Sequence, residues 1–232
     1  MFTHQDEVFV PIERENIDGV RYYKVFGTEE LVKMPSITSV ISWRNRNKFK
    51  EWRKKVGEEE ANNITRRATH RGTDAHTLIE NYLNNIHELS DVLPLSQFLF
   101  KQAKPDLDKI DNILCQETAL YSTELGIAGS VDCIAEHTGE NGEPELAVID
   151  FKTSATPKKR EWIEDYFVQC AAYACMLYEM KGIIVKKFVI IMTCEDGEVK
   201  VYEEYDKSKY IKLLIQYIHE FVESKLREYA KT

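Results

Sequence analysis

The amino-acid sequence predicts an α/β fold in which a mixed β-sheet is flanked by α-helices. The first observation is the order of segments: helical spacing of apolar residues is followed by three strand-like segments, a helix, two more strands and a last helix. The second is a near-continuous apolar stretch over residues 146–151, which is typical of an interior strand. The third is a globular composition, 43% hydrophobic and 30% charged, in 232 residues that suit one domain.

The N-terminal region, residues 1–35, is predicted to form a β decoration outside the main sheet. It contains short segments of apolar and β-branched residues separated by turn formers. The two predicted strands span residues 8–12 and 20–26.

Residues 36–112 form a predicted helical region. Its first helix begins at Pro35-Ser-Ile-Thr-Ser39, where Ser36 or Thr38 can cap the helix by accepting a hydrogen bond from a free backbone N–H. Apolar side chains then recur every three or four positions, which predicts further amphipathic helices. These helices span residues 48–63, 72–84 and 96–110.

Residues 113–207 are predicted to supply the core sheet and one long helix. The helix follows the first three strands and spans residues 161–180. Two further strands are joined by Glu195-Asp-Gly197, a hairpin-like turn. A C-terminal helix over 208–232 completes what we expect to be a single domain.

Two carboxylates and a lysine lie in neighbouring strands of this predicted core. Asp150 and Lys152 are two residues apart, so on a strand they project from the same face, away from their apolar neighbours. Asp132 lies in the preceding strand, and the turn formers over 138–144 predict an antiparallel hairpin that brings it beside Asp150. Paired carboxylates bind divalent cations and a nearby lysine can hold a water or a phosphate oxygen. The pattern therefore points to metal-dependent hydrolysis of a phosphodiester.

These signals also have structural interpretations. Charged residues on strands are commonly the solvent-facing side of a half-buried sheet, although charges inside the apolar stretch 146–151 need a partner because unpaired burial is costly. On the predicted helix over 72–84, His76 and Glu80 project from one side, four residues apart. A histidine there either packs within the fold or acts as a ligand.

The net charge of −8 is unfavourable for binding nucleic acid, but its distribution is uneven. Residues 44–71 carry ten basic and four acidic groups, a net charge of +6, which leaves −14 on the remainder. A molecule polarised in this way can hold phosphates on one side. A solvated helix face accounts for the same pattern.

Cysteine spacing and hydropathy exclude several classes of protein. The five cysteines form no C-x-x-C pair, so we expect reduced, mostly buried thiols rather than a zinc ribbon or an iron–sulfur cluster. No apolar stretch approaches the roughly 20 residues of a membrane helix, and the N-terminus lacks the pattern of a signal peptide. We therefore expect a cytoplasmic protein with no membrane partner.

Four motifs, taken in order, resemble the PD-(D/E)XK nuclease superfamily, in particular its RecB-like branch. The segment Pro35-Ser-Ile-Thr-Ser-Val40 and the spacing after it are also similar to the mitochondrial genome maintenance exonucleases and their phage relatives. The resemblance covers about residues 35–180 and implies a restriction-endonuclease-like core. The motifs are Gly72-x-x-x-His76-x-x-x-Glu80, Gly129-x-x-Asp132, Asp150-x-Lys152-Thr and Gln169-x-x-x-Tyr173.

The resemblance implies a role for each matching residue. Asp132, Asp150 and the backbone carbonyl of Phe151 would ligate Mg²⁺ or Mn²⁺, and His76 would complete the metal shell. Lys152 would orient or deprotonate the attacking water, with a pKa that the nearby cation depresses. The supporting residues would be Glu80, Gln169 and Tyr173.

Two departures from the family pattern are visible. The D-x-K motif has Asp where much of the superfamily has Glu, and either residue offers carboxylate oxygens. The cysteines lack the placement found in cluster-bearing members of the branch, so no iron–sulfur cluster is expected.

Substrate contacts are predicted on the helix that carries His76. The side chains expected to contact phosphates lead into that helix and are Arg66, Arg67 and Arg71. Trp43 and Phe49 either stack on unpaired bases or pack in the core, and core packing is the favoured interpretation. Glu117 either reaches the site or pairs with a surface lysine, and the lysine pairing is favoured.

The function implied is a metal-dependent exonuclease acting on single-stranded DNA or on flapped ends. The alternatives are a structure-specific endonuclease, a catalytically silent DNA-end binding module, and an unrelated metalloprotein in which the hairpin is only a sheet edge. The complete set of Asp132, Asp150 and Lys152 argues against the silent module. DNA degradation in a phage-infected host cytoplasm, recombination and repair of replication ends all fit this function.

Overall fold

The computed structural model describes residues 1–26, 31–86 and 92–230. The β-strands are β1 (Glu13–Ile17), β2 (Val20–Phe26), β3 (Leu31–Pro35), β4 (Ile110–Ser122), β5 (Ile127–Thr138), β6 (Pro144–Ser154), β7 (Lys187–Cys194) and β8 (Val199–Glu204). The α-helices are α1 (Ile37–Val56), α2 (Glu58–Leu83), α3 (Pro94–Leu107), α4 (Glu164–Lys181) and α5 (Lys207–Tyr229). None of the described helices is both long enough and apolar enough to cross a membrane.

Five strands form the main sheet, in the order β4-β5-β6-β7-β8. Neighbouring strands are antiparallel except β6 and β7, which run parallel and are connected through α4. Helices α1, α4 and α5 cover one face, and α2 and α3 cover the other. The predicted fold class, a mixed sheet flanked by helices, is confirmed, and so is the predicted β5–β6 hairpin.

The β decoration is a separate antiparallel sheet of β1, β2 and β3. It packs against β5 through Tyr23, Met34 and Ala128. The strand at Val20–Phe26 was predicted correctly, but the strand predicted over 8–12 is wrong, since these residues adopt no strand conformation. Pro11 lies in that segment and has no N–H to donate to a ladder.

The helical region differs from its prediction at Gly57 and at the end of the helix predicted over 96–110, which stops at Leu107 because β4 begins at Ile110. The predicted helix over 48–63 is divided at Gly57, because Gly57 has φ 89° and ψ 150°, a conformation that glycine adopts readily. Helix α1 ends before this residue, and α2 continues through the helix predicted over 72–84. The Ser36 cap is confirmed: its side chain accepts a hydrogen bond from the N–H of Ser39 at 3.0 Å.

Strand β6 lies at the centre of the sheet and separates two apolar layers. Ile149 and Phe151 pack beneath α2 and α3. Lys152 projects toward α4, where its Nζ lies 5.2 Å from the centre of the Tyr166 ring. The predicted division of β6 into an apolar face and a charged face is therefore correct.

Close packing between β5 and α4 depends on Gly129. We expect Gly129→Ala to lower the free energy of unfolding by about 1–3 kcal/mol, because overpacking a tight contact forces neighbours to move. The added Cβ would lie 2.8 Å from Tyr173 Cε1 and 3.2 Å from Ile37 Cγ2, and both side chains are buried. Urea denaturation followed by circular dichroism measures the change.

The matched control is Gly72→Ala, at the glycine that opens the first motif. A Cβ on Gly72 meets only Thr153 Oγ1, at 3.9 Å, and the residue lies inside α2. Because alanine favours helix over glycine, this variant should be neutral or more stable by up to about 1 kcal/mol. Equal destabilisation by both substitutions would contradict the packing argument.

Candidate active site and metal centre

The ladder between β5 and β6 opens in the middle of β6. Paired positions end at Cys133 and Ile149, while β6 stays paired with β7 to its last residue. The backbone groups of Phe151 that point toward β5 are bound by side chains instead of by a strand. Its N–H donates to Asp132 Oδ2 at 2.9 Å, and its carbonyl accepts from His76 Nε2 at 2.9 Å.

This arrangement fixes the tautomer and the orientation of His76. A carbonyl only accepts, so Nε2 carries a proton and Nδ1 faces away from Phe151. His76 Nδ1 lies 3.6 Å from Glu117 Oε1 and 3.8 Å from Asp132 Oδ1. One ligand atom from each of these three residues lies within 4.8 Å of the others, and no second group of this kind occurs in residues 1–26, 31–86 and 92–230.

Glu117 belongs to this group, whereas a surface lysine was its favoured partner in the sequence. The β4–β5 register pairs Gln116 with Cys133 and Thr118 with Val131, which puts Glu117 across from Asp132. Its φ of 44° is in the left-handed region, which costs a non-glycine residue roughly 1–2 kcal/mol and is tolerated mainly where the fold imposes it.

Asp150 is buried beside Lys152, with its side chain 1% exposed and Lys152 Nζ 2.5 Å from Oδ2. Neither carboxylate oxygen accepts a hydrogen bond of regular geometry within the described parts of the chain. Burial raises the pKa of Asp150, and Asp132 raises it further against the opposing charge of Lys152, to about 7.

The pKa of Lys152 is lowered by burial but raised more strongly by Asp150 and Asp132, so its net direction is upward. A cation beside Lys152 was expected to lower its pKa. Without a cation, the two carboxylates raise it. Lys152 therefore stays protonated and paired with Asp150 as long as Asp150 carries its full charge.

His76 responds to the same carboxylates. Burial lowers its pKa, but the charge of Asp132, the nearby Glu117 and the charge of Asp150 outweigh that effect and raise it to about 9. The imidazole is therefore a cation in the metal-free protein at neutral pH.

The predicted supporting residues divide by position. Gln169 Nε2 donates to the Tyr173 hydroxyl at 3.3 Å, and the Tyr173 ring packs against Gly129. Because Tyr173 is 1% exposed, it positions β5 and does not reach solvent. Glu80 lines a cavity of 420 Å³ together with His76 and Glu117, and burial followed by the charge of Glu117 raises its pKa.

The predicted phosphate contacts are not brought into the site. Arg71 is buried, where its Nε donates to Thr153 Oγ1 at 3.1 Å and its Nη1 pairs with Glu195. Arg66 and Arg67 are exposed on α2, but they precede His76 by nine or ten residues, about 14 Å along the helix axis.

The two aromatic candidates for base stacking also lie elsewhere. Trp43 packs edge-on against Phe221, with ring centres 5.6 Å apart, at the margin of the core. Phe49 is half-exposed and stacks on Trp52 at 5.3 Å. Core packing, the favoured interpretation, holds for Trp43.

The donor set fits a hard divalent cation. Asp132 and Glu117 supply carboxylate oxygens, and His76 supplies a ring nitrogen that binds once it has lost its proton. Asp150 adds a buried carboxylate whose oxygens accept no hydrogen bond of regular geometry within the described parts of the chain, although Oδ2 forms an ion pair with Lys152. The Phe151 carbonyl keeps one lone pair beside its bond from His76. An imidazole ligand favours Mn²⁺ relative to Mg²⁺.

Comparison with known proteins gives structural similarity without a sequence match. No protein-family model matches this chain, and no curated protein matches it. Among solved structures, the crystal structure of a "Putative exonuclease" from Eubacterium rectale has a TM-score of 0.43 and 15% sequence identity. The similarity covers 69% of this chain and 66% of the other, so this chain spans just under two-thirds of that protein's length.

The raised pKa of His76 predicts a loss of stability at alkaline pH in the metal-free protein. A histidine whose folded pKa exceeds its unfolded value stabilises the fold fully below about pH 6.5 and loses that contribution as pH rises through about 9. In EDTA, wild type should therefore lose on the order of 2 kcal/mol more than His76→Asn between pH 6 and 9.5. Urea unfolding at each pH measures the difference.

The control for this titration is His219→Asn. The His219 side chain is 73% exposed on α5 and pairs with Glu223. This variant should follow the wild-type pH dependence. A His76→Asn profile parallel to that of wild type would refute the assigned charge interaction.

Proposed function

We propose that this protein is a metal-dependent nuclease of the PD-(D/E)XK superfamily, in its RecB-like branch, and that it hydrolyses phosphodiester bonds in DNA. The observation that carries the proposal is the convergence of His76, Glu117 and Asp132 beside the buried pair of Asp150 and Lys152. The order of the four sequence motifs supports the same assignment. We also propose that the chain works as one nuclease domain, in the cytoplasm.

The carboxylates of Asp132, Glu117 and Asp150 and the imidazole of His76 would hold Mg²⁺ or Mn²⁺, with the Phe151 carbonyl as a further ligand. The cation supplies a water of lowered pKa and neutralises negative charge that develops on the phosphate. Asp132 and His76 are each bound to the backbone of Phe151, so both donors are oriented before substrate arrives.

Lys152 supplies a positive charge whose partner and protonation state depend on the charge of Asp150. Once the charge of Asp150 is neutralised, the largest influence that raises the lysine pKa is removed, and burial then lowers it. The ammonium group is then free to contact a phosphate oxygen, and the neutral amine is able to take a proton from the attacking water. The same residue thus serves to bind substrate or to act as a base, depending on its neighbour.

Exonuclease action on single-stranded DNA or flapped ends is the form of this activity that we propose, on the basis of the sequence resemblance. A catalytically silent DNA-end binding module is disfavoured by Asp150. A buried carboxylate whose oxygens accept no regular hydrogen bond lowers stability even when a lysine pairs with it, and such costs are retained where a site needs them.

Cleavage of end-labelled single-stranded and duplex DNA tests the proposal directly. In Mg²⁺ or Mn²⁺, Asp150→Ala and Lys152→Ala should each lower the cleavage rate by roughly a hundredfold or more. The first removes a carboxylate that would hold the cation, and the second removes a positive charge that would stabilise the reacting phosphate. Denaturing gels quantify the products. EDTA should abolish cleavage by wild type.

Matched controls lie on α3, at residues outside the group of candidate ligands. Asp106→Ala removes an aspartate that pairs with Lys109 at 2.7 Å, and Lys101→Ala removes an exposed lysine. Both should cleave like wild type. Wild type that cleaves neither substrate, or site variants that cleave equally well, would overturn the proposal. Circular single-stranded DNA separates the two modes, because an exonuclease leaves it intact and an endonuclease cuts it.

A further inference from the structure

A polar cavity of 720 Å³ lies between α1 and α4, on the face of the sheet toward which Lys152 projects. It contains none of the three grouped ligands His76, Glu117 and Asp132. Its walls come from α1, from the segment that follows β6, and from α4. The lining residues that matter here are Lys48, Lys158, Trp162, Tyr166 and Gln169.

Tyr166 joins this cavity to the proposed active site. Lys152 Nζ and Lys158 Nζ each lie 5.2 Å from the centre of its ring. Lys158 Nζ also donates to the Tyr166 hydroxyl at 2.8 Å. A chain of phosphates that reaches Lys152 along α4 therefore meets Lys158 next.

Two of the three cationic groups of the cavity, Lys48 and Lys158, are available for a ligand, whereas Arg44 pairs with Glu220. Among the described residues, no carboxylate lies within 4.0 Å of the ammonium of Lys48 or Lys158. Two of the three acids that line the cavity are engaged: Asp165 accepts hydrogen bonds at 2.7 and 2.9 Å, and Glu164 pairs with a lysine at 2.8 Å. Glu161 is the remaining acidic group.

Trp162 supplies an exposed aromatic surface at the same cavity. It is 65% exposed, although tryptophan is highly buried on average. Lys159 Nζ lies 5.6 Å from its ring centre. An exposed ring with a lysine beside it matches the combination of stacking surface and positive charge that binds unpaired nucleotides.

We infer that this cavity is the path along which a single nucleic-acid strand passes to the active site, with Trp162 stacking on an unpaired base and Lys158 contacting a phosphate. The inference rests on the proposed nuclease function and names the substrate contacts of that site. In a duplex the bases stack on one another and present no free face to Trp162. The path therefore selects single strands over duplex.

Fluorescence anisotropy with labelled dT12 in EDTA, where metal-dependent cleavage is absent, measures the binding. Trp162→Ala should weaken binding about tenfold, with an unchanged dependence on salt, and Trp162→Phe should restore most of it. Lys158→Ala should instead lower the slope of log affinity against log salt by about 0.7, the value for one phosphate contact on a single strand. Duplex DNA should bind more weakly than dT12 and respond little to Trp162→Ala.

The controls are Tyr178→Ala and Lys101→Ala. Tyr178 is 58% exposed near the other end of α4, and Lys101 lies on α3, so both should bind dT12 like wild type. Wild-type affinity in Trp162→Ala and Lys158→Ala would overturn the path. Binding of rU12 that is tighter than that of dT12 would overturn DNA as the strand of the proposed function and leave the path standing.

A small diester, bis(p-nitrophenyl) phosphate, separates failure of the path from failure of the nuclease. Its metal-dependent hydrolysis needs no strand contacts, so Trp162→Ala should hydrolyse it like wild type while its KM for DNA rises. Equal loss on both substrates would make Trp162 a structural residue and overturn the path. Strand binding that depends on Trp162, without any cleavage by wild type, would overturn the nuclease proposal alone.

Discussion

The open ladder at Phe151 is the constraint on which the rest of the site depends. Phe151 lies in the central strand, where a backbone N–H or C=O left without a partner costs about 1–3 kcal/mol. Pairing with β5 has ended at this point, so side chains bind these groups instead. Asp132 accepts a hydrogen bond from the N–H of Phe151, and His76 donates one to its carbonyl. One residue comes from β5 and the other from α2. The hydrogen bonds that satisfy the strand are therefore the same ones that aim the candidate ligands.

A lysine–carboxylate pair elsewhere in the same sheet shows why the Asp150 pair is unusual. Lys187, on β7, is fully buried and donates to Glu203 at 2.9 Å, and Glu203 also accepts from Tyr205. Burial raises the pKa of Glu203, but these hydrogen bonds and the charge of Lys187 outweigh it, so the net direction is downward. For Asp150, burial and the charge of Asp132 outweigh the charge of Lys152, so the pKa of Asp150 rises. The Lys187 pair is a satisfied structural pair, whereas Asp150 has capacity for a further positive charge.

Local periodicity was sufficient to predict the main sheet, its flanking helices and part of the site. Long-range register accounts for what was misjudged in the site. Asp150 and Lys152 follow from the two-residue repeat of a strand, and Asp132 follows from the turn that makes the hairpin. Glu117 was given two interpretations and the surface lysine was favoured, because its position opposite Asp132 depends on the register of β4 with β5, which the turn between them sets. The break at Gly57 was missed because the helical pattern continues across it, and only its backbone conformation reveals it.

Arg71 explains why the two sides of the site differ. It lies on α2 five residues before His76, and it binds Thr153, two residues after Phe151, as well as Glu195 in the turn between β7 and β8. Helix α2 is thus tied to the end of β6 at two levels, by Arg71 and by His76. Arg71 was predicted to contact phosphate, but it is occupied by these structural contacts. They hold in place the side of the site that supplies the candidate ligands. Lys48 and Lys158, which have no carboxylate within 4.0 Å among the described residues, lie on the other side, at the cavity between α1 and α4. In the proposed function a phosphate chain would find counter-charges there and would meet the ligand side only at the bond to be cleaved.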